Sequence, residues 1–446
     1  MREGSLEAPT RHPHDWTNPD FYDAGKLDAE LRRVFDICHG CRRCFNLCES
    51  FPRLFDLVDQ AGDAEVAGIS SAAFKSVADA CTLCDMCFMT KCPYVPPHPF
   101  AIDFPHLMVR YRAQELKRGE VALADRQLTE TDRNGRLARP VAGLANWATR
   151  RGNGLTRPLL QAIAGIHRDA ELPKYSRRSF EALAAAAPSP VNADAPAHGR
   201  KAVLFATCFV NHNTPDIGMA CRAVLAHNGV DTKVAYPGCC GMPQLEHGDL
   251  ERLAGAALRS AAALVPWIEE GYDIVVPVPS CALMMKFEWP LILPDEPAVG
   301  RLAGAVFDAS EYVVDIAGKE GLAPGLRPLE GGVAVHLACH ARAQNMGPKA
   351  AEMLRLLPDT KVVVVERCSG HGGSWGIKTE NFPLAMKNGQ PAARQAAKSG
   401  MRHLCSECPL AAAHLAQELE ELDGGGAQPA CGMHPIQLLA EAYDLI

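Results

Sequence analysis

Two runs of cysteine near the N-terminus carry the chemistry open to this chain: Cys38-x2-Cys41-x2-Cys44-x3-Cys48, and Cys81-x2-Cys84-x2-Cys87-x4-Cys92 closed by Pro93. Three thiolates at two-residue intervals lie on one side of a tight loop and fit three corners of a [4Fe–4S] cubane. In two-cluster ferredoxins the fourth thiolate comes from the other run. The spacing therefore predicts one cluster on Cys38, Cys41, Cys44 and Cys92, and another on Cys81, Cys84, Cys87 and Cys48. Zinc is the alternative, but it takes four ligands and usually two CxxC pairs. One-electron transfer is the chemistry expected.

The elements that must position these thiols fall into four stretches. Residues 27–105 form a helical, dicluster ferredoxin-like domain. Residues 106–199 form a basic helical connector and linker: between Arg110 and Arg178 there are 15 Lys/Arg against 7 Asp/Glu. Its apolar segment Leu155 to Ile166 suits packing on the large domain, or docking on a partner or on anionic headgroups. Ala184 to Gly199, rich in alanine and proline, reads as a flexible linker.

From Arg200 the chain repeats itself, with units expected at 200–325 and 326–446. Ala202–Thr207 is a buried-strand pattern running into Cys208, Lys233–Tyr236 leads to Cys239-Cys240-Gly241, and Ile274–Val278 leads to Cys281. In the same order Val333–Leu337 leads to Cys339, Lys361–Val365 to Cys368, and Arg402–Leu404 to Cys405-x2-Cys408. Paired as 208 with 339, 240 with 368 and 281 with 405, the cysteines lie 131, 128 and 124 positions apart. Strands alternating with amphipathic helices imply a parallel sheet in each copy, giving two duplicated α/β domains behind the N-terminal α+β region. Loops at the carboxyl ends of such strands converge on ligand sites, so three thiol-bearing loops can surround one metal centre.

Composition narrows the function. The 446 residues have ample material for a core, and a net charge of -7 argues against nucleic acid as the main partner. Met1 to Asp23 is polar and suggests no signal peptide, and no apolar run is long enough to cross a bilayer. The 18 cysteines are then expected in a reducing, cytoplasmic compartment, where grouped thiols more often mean metal than disulfides.

These residues, with Gly165-Ile-His-Arg168 and Leu172-Pro-Lys174 in the connector, resemble the CCG-domain iron–sulfur proteins. That family includes the CCG-bearing subunit of heterodisulfide reductase and the iron–sulfur subunits of glycolate oxidase and anaerobic glycerol-3-phosphate dehydrogenase. The complete family motif is one Cys, then Cys-Cys-Gly, then CxxC. By the resemblance the first copy retains Cys208, Cys239, Cys240 and Cys281, with Met284 where a last cysteine would stand. The second retains Cys339, Cys368, Cys405 and Cys408, with Arg367 in place of the first of the paired cysteines. Four thiolates suffice for a cubane or for zinc, so one or two further iron–sulfur clusters, or zinc, are expected there.

Other residues are weaker candidates. Ser369–Gly376 is glycine-rich without GxGxxG spacing, so its N–H groups more naturally face an anionic cluster or substrate than a nucleotide. His371 within it is a candidate proton donor, iron ligand or structural histidine, whereas His336 and His340 suit packing. Cys221 suits a buried helix face, and Cys431 a structural role or a spare ligand. Arg42 and Arg43 are placed to tune a cluster potential. No phosphate loop or flavin fingerprint is visible. The expected function is an electron-transfer subunit fed by a flavoprotein dehydrogenase, with a rubrerythrin-like redox protein as another expected partner. Electrons would pass to a quinone, a thiol/disulfide or a redox protein, and the chain would lie in the cytoplasm or peripherally on the inner face of the membrane. The alternatives are a disulfide- or peroxide-linked reductase acting at a CCG cluster, and a zinc-stabilised interaction module.

Overall fold

Short runs of branched apolar residues become strands here because helices cover both faces of the sheets they build. In the computed structural model, which describes residues 9–62, 65–422 and 429–446, the strands are β1 (Lys201–Phe205), β2 (Asp231–Ala235), β3 (Asp273–Val276), β4 (Val306–Asp308), β5 (Val333–His336), β6 (Val362–Val365), β7 (His403–Ser406) and β8 (Ala430–Met433). They form two four-stranded sheets, ordered β2-β1-β3-β4 and β6-β5-β7-β8, and every neighbouring pair is parallel. Ala202, Val203, Leu204 and Phe205 are all fully buried, as a strand covered on both faces requires. The expected pair of parallel α/β units is therefore present, each with a short fourth strand that the sequence pattern did not announce.

In each sheet the chain leaves the central strand (β1 or β5) toward one edge, then crosses back to the other side. That reversal opens a crevice at the carboxyl ends of the strands. The units also interlock. The helix Pro435–Ala442 of the second packs on Pro215–His227 of the first. Gln437 Nε2 donates to Asp216 Oδ2 at 2.7 Å and the Tyr443 hydroxyl to the Ala323 carbonyl at 2.9 Å.

The N-terminal region is helical as expected, built from Ala24–Cys41, Ser50–Gln60, Phe74–Asp79 and Phe104–Arg118. An aromatic core ties these helices together: Phe35 meets Phe74 edge-on at 5.1 Å, and Phe51 lies 4.7 Å from Phe104. The connector follows as the helices Leu123–Leu128, Thr131–Ala138, Ala142–Thr149 and Thr156–Ala164. Buried Arg157 holds its end by donating to the carbonyls of Thr149, His167, Arg168 and Ala170.

Ala184 to Gly199 is packed rather than loose. Asn192 donates from its backbone to Ala226 and from its side chain to His227, both at 3.0 Å. Ala195 and Ala197 are buried. The small alanines that suggested a flexible linker are what allow this stretch to lie flat on the first unit. No helix among the described residues is long and apolar enough to cross a membrane.

Candidate metal centres

All eighteen cysteines are free thiols, and most of them gather into four groups. In the first group, burial raises the Cys38 thiol, and the neighbouring thiols of Cys92, Cys44 and Cys41 raise it further. Cys38, Cys41, Cys44 and Cys92 line one cavity together with Arg43, Phe51 and Tyr94. Arg42, in left-handed conformation at the end of its helix, turns instead to Asp59. Of the two arginines, Arg43 is the one that faces the thiols.

The second group takes Cys48 from the first run. Burial and then Cys84 and Cys81 raise the Cys48 thiol, while Ser50 holds it down. Cys87 is raised by burial, Cys84, Cys81 and Cys48 in that order. Leu83 and Asp85 adopt φ values of 48° and 62°, a left-handed strain that bends the loop around its sulfurs. Arg112 donates to the carbonyls of Ala78 and Cys81 and fastens the loop to the helix Phe104–Arg118. Cys92 thus acts on a thiol of the first run, and Cys81 and Cys84 act on Cys48.

In the first α/β unit Cys208, Cys239, Cys240 and Cys281 converge. Cys239 Sγ lies 3.8 Å from Cys208 Sγ, and the Cys240 thiol interacts with those of Cys239 and Cys281. The Cys239 thiol is held well below its usual range by hydrogen bonds from the thiols of Cys208 and Cys240, against the effect of burial. The connector helix Thr131–Ala138 caps this group: Asp132 accepts from the Cys239 N–H at 2.9 Å and from the Tyr236 hydroxyl. Asp132 was not singled out in the sequence, because it lies about a hundred residues from the Cys239 it serves.

The second unit differs from the expected ligand set. Cys339, Cys368 and Cys408 gather there, and each of the other two raises the Cys339 thiol. Cys405 does not join them. It lies inside β7, fully buried and paired with Val335 and Met433, with Glu407 and Cys431 as its carboxyl and thiol neighbours. The register explains the difference. β1 pairs Ala202 with Asp273, and β5 pairs Val333 with His403, so Cys408 occupies the position of Val278, and Cys281 that of Ala411. The helices opening at Pro279 and Pro409 repeat this offset. Met284, fully buried in the core, is therefore not the place of a missing cysteine.

Arg367 is not one either. Gly241 and Gly370 share a positive φ of 87° and 83°, which aligns Cys239 with Cys368 and sets buried Ser369 opposite Cys240. Arg367 is exposed and its guanidinium bonds Gln395. The second unit thus gathers three thiols, with His371 beside them. The Gly373 N–H donates to His371 Nδ1 at 2.9 Å, which leaves the ring proton on Nε2, 3.7 Å from Cys408 Sγ. Burial, reinforced by His414, His340 and His336, pushes the His371 pKa down to about 3, so the ring is a neutral N–H donor to sulfur. A ring proton on Nε2 favours the donor role over that of iron ligand.

The glycine-rich loop is where three regions meet. At φ 53° and 62°, a Cβ on Gly372 would strike Thr82 of the second cysteine run, and one on Gly373 would strike Glu246 of the first unit. Gly370 N donates to Cys368 Sγ at 3.3 Å. His336 bridges Ser406 and the Arg367 carbonyl, and His340 contacts the Leu83 carbonyl at 3.0 Å. Both are positioning groups. Cys221 is buried in its helix, and the Cys431 thiol donates to the Ala412 carbonyl, away from the other groups.

The four groups are neighbours in series. Among the influences on Cys87 is Cys44 of the first group; the Cys84 thiol acts on Cys339 and itself feels Cys368; Cys281 acts on Cys408. Clustered thiols that raise one another deprotonate readily only against a cation, and soft donor sets of this kind suit iron–sulfur clusters or zinc.

Comparison with known proteins agrees with the duplicated architecture. The CCG cysteine-rich domain matches residues 202–286 and again 333–416. The chain is 27% identical over 325 residues to a subunit of the anaerobic glycerol-3-phosphate dehydrogenase of Escherichia coli (strain K12), spanning 71% of this chain and 76% of that protein. It is 28% identical over 252 residues to a subunit of the fumarate reductase (CoM/CoB) of Methanothermobacter marburgensis, spanning 55% and 47% of the two chains. Lactate utilization protein A of Bacillus pumilus is 27% identical over 189 residues, spanning 40% and 75%.

Proposed function

The chain carries two CCG cysteine-rich domains and is related to subunits of a dehydrogenase and a fumarate reductase, and from that premise we propose that it is an iron–sulfur electron-transfer subunit. Two [4Fe–4S] clusters held by the crossed N-terminal thiols, with further clusters in the α/β units, supply one-electron chemistry when bound. The observation that carries this reading is the unbroken series of thiol groups, from the Cys38 group through the Cys81 group and the second unit to the first. The polypeptide's part is to bury the sulfurs, exclude water from them, and aim N–H groups and the Arg43 side chain where negative charge gathers.

The proposed electron source is a flavoprotein dehydrogenase, since no flavin fingerprint is present in this chain. A rubrerythrin-like redox protein is a further proposed partner, and a quinone, thiol/disulfide or redox protein the acceptor. The connector supports a place at a membrane surface. Leu155, Leu159 and Ile163 point outward from one face of a helix at four-residue spacing, and Leu144, Trp147, Leu137 and Leu123 are also exposed in the most basic stretch of the chain. An apolar face among arginines fits the interface of an anionic bilayer. Sedimentation with anionic vesicles, weakened by Leu159→Ser with Ile163→Ser, tests this.

The central test is iron, sulfide and zinc analysis, with electron paramagnetic resonance, on anaerobically purified protein. Roughly eight irons with matching sulfide are expected for the N-terminal region alone; zinc without sulfide would overturn the reading. A second reading, reduction of a disulfide-like substrate at the second unit, is favoured by its three thiols and by the exposure of Cys368. Turnover of a disulfide by the isolated chain with an artificial donor would move the function there.

A further inference from the structure

Away from the thiols, a second cluster of metal-binding side chains joins three parts of the chain. His14 comes from the N-terminal segment, His106 from the helix Phe104–Arg118, and Glu288 from the end of the turn Met284–Glu288 that follows the Cys281 helix. One donor atom from each lies within 4.8 Å of the other two. His14 and Glu288 are only 8% and 2% exposed, and the His106 side chain retains 11%. The two imidazole rings sit 4.0 Å apart, and His106 Nε2 is 3.2 Å from Glu288 Oε2. Two ligands on one tetrahedral zinc are separated by about 3.3 Å, given bonds near 2.0–2.1 Å.

Two features are hard to account for without an ion. His14 Nε2 is buried and lacks a hydrogen-bond partner, at a cost that native structures rarely carry. The charges also fail to cancel: Arg11 faces Asp85, Asp103 and Glu288 at 2.7, 3.0 and 2.9 Å, and even with His106 protonated between Asp103 and Glu288 one negative charge is left over in a buried site. Asp103 meanwhile approaches His106 Nδ1 at 3.3 Å. With Nδ1 facing a carboxylate, Nε2, which meets Glu288 here, is the nitrogen that would turn to a metal. Arg11 occupies Glu288 Oε1 and leaves Oε2 toward the histidines.

We propose that His14, His106 and Glu288 bind one divalent ion of the zinc class, with Asp103 and Arg11 orienting the ligands. The donors are nitrogen and oxygen, so this centre is chemically distinct from every thiol group in the chain. An ion there offsets the excess negative charge, satisfies His14, and clamps the N-terminal segment across the junction between the second cysteine run and the first α/β unit.

The test uses the full, cluster-loaded chain, given one equivalent of zinc and passed through a desalting column. About one zinc per chain is expected to remain. X-ray absorption at the zinc edge should give a nitrogen/oxygen shell near 2.0–2.1 Å and no sulfur near 2.3 Å. His14→Asn should retain less than a tenth as much zinc, with iron and sulfide unchanged. The wild-type absorption spectrum decides independently of whether that variant folds. No retained zinc, a sulfur shell, or equal retention by His14→Asn overturns the proposal.

Discussion

The two α/β units are one scaffold used twice, and they differ most where the scaffold is identical. Both run their strands in the same order, and both place a left-handed glycine after the second strand. The first unit then gathers four thiols, three of them buried, under a roof formed by the connector helix Thr131–Ala138. The second gathers three, with Ser369 and Ala411 where thiols would complete the motif, and leaves Cys368 open to solvent. Met242 follows the glycine in one, His371 in the other. A closed four-thiol group suits holding a cluster permanently. An open three-thiol group with an N–H donor suits exchange of a ligand or of electrons with something outside.

The largest expected effect follows from the count of thiols. Cys339→Ser leaves the second unit with two thiols and should empty it of metal. Cys208→Ser leaves the first with three, the wild-type number of its twin, and should leave it loaded. Iron and sulfide per chain, with paramagnetic resonance of each variant, check this. Equal losses from the two variants would mean that the units are not built as described.

Next comes conversion of one unit toward the other. Ser369→Cys places a thiol opposite Cys240 and should give the second unit a new signal resembling that of the first. Val278→Cys should add a fifth thiol to the first unit. Substituting Arg367, whose guanidinium turns to Gln395, should leave both spectra unchanged, and so should a conservative change at buried Met284. A spectrum that responds to Arg367→Cys and ignores Ser369→Cys would reverse the alignment.

That alignment marks the limit of what the sequence could tell. Six strands were legible because Val, Leu and Ile crowd into short runs before cysteines. β4 and β8 were not: Val306–Asp308 is too short to show a pattern, and Ala430–Met433 carries a glycine and lies at an edge. Cys405-x2-Cys408 has the spacing of a ligand pair, yet only the pairing of Cys405 with Val335 shows that one member is a strand residue. With the register known, cysteine offsets between copies become nearly uniform, 131 from Cys208 to Cys339 and 129 from Cys239 to Cys368. The His14–His106–Glu288 cluster had no local signature at all, because 92 and 182 residues separate its members.

A smaller effect separates two acidic residues, each nine positions beyond the proline, Pro279 or Pro409, that follows the third strand of its unit. Glu288, paired with His106 and Arg11, is held well below the usual carboxylate range despite burial. Glu418 is also buried, but its Oε1 has no hydrogen-bond partner, and burial pushes its pKa up to about 8. The folded state therefore keeps a proton that the unfolded state releases near pH 4.5, so stability falls as pH rises from about 4.5 to about 8. Glu418→Gln should remove that slope. It should match wild type at pH 5 and exceed it by roughly 3–4 kcal/mol at pH 8, read from denaturant midpoints. Parallel pH profiles for the two proteins would show that Glu418 is ionised in the fold.

The smallest effect bears directly on the difference between the units. His371 gives the second unit a hydrogen bond to Cys408 sulfur that Met242 cannot give in the first. A donor to sulfur stabilises the more negative, reduced form of a bound cluster and so raises its potential. One such bond is worth about 1 kcal/mol, or roughly 40 mV for one electron. His371→Met, which copies the first unit, should lower the potential of the second-unit signal by about that amount. His371→Gln, which keeps an N–H, should recover much of it. Because burial pushes the His371 pKa down to about 3, the ring stays neutral through the physiological range, and the wild-type potential should not change with pH on its account. A pH-dependent potential that disappears in His371→Met would instead make this histidine a proton carrier. An unchanged potential in that variant would mean that the 3.7 Å contact contributes nothing to the difference between the units.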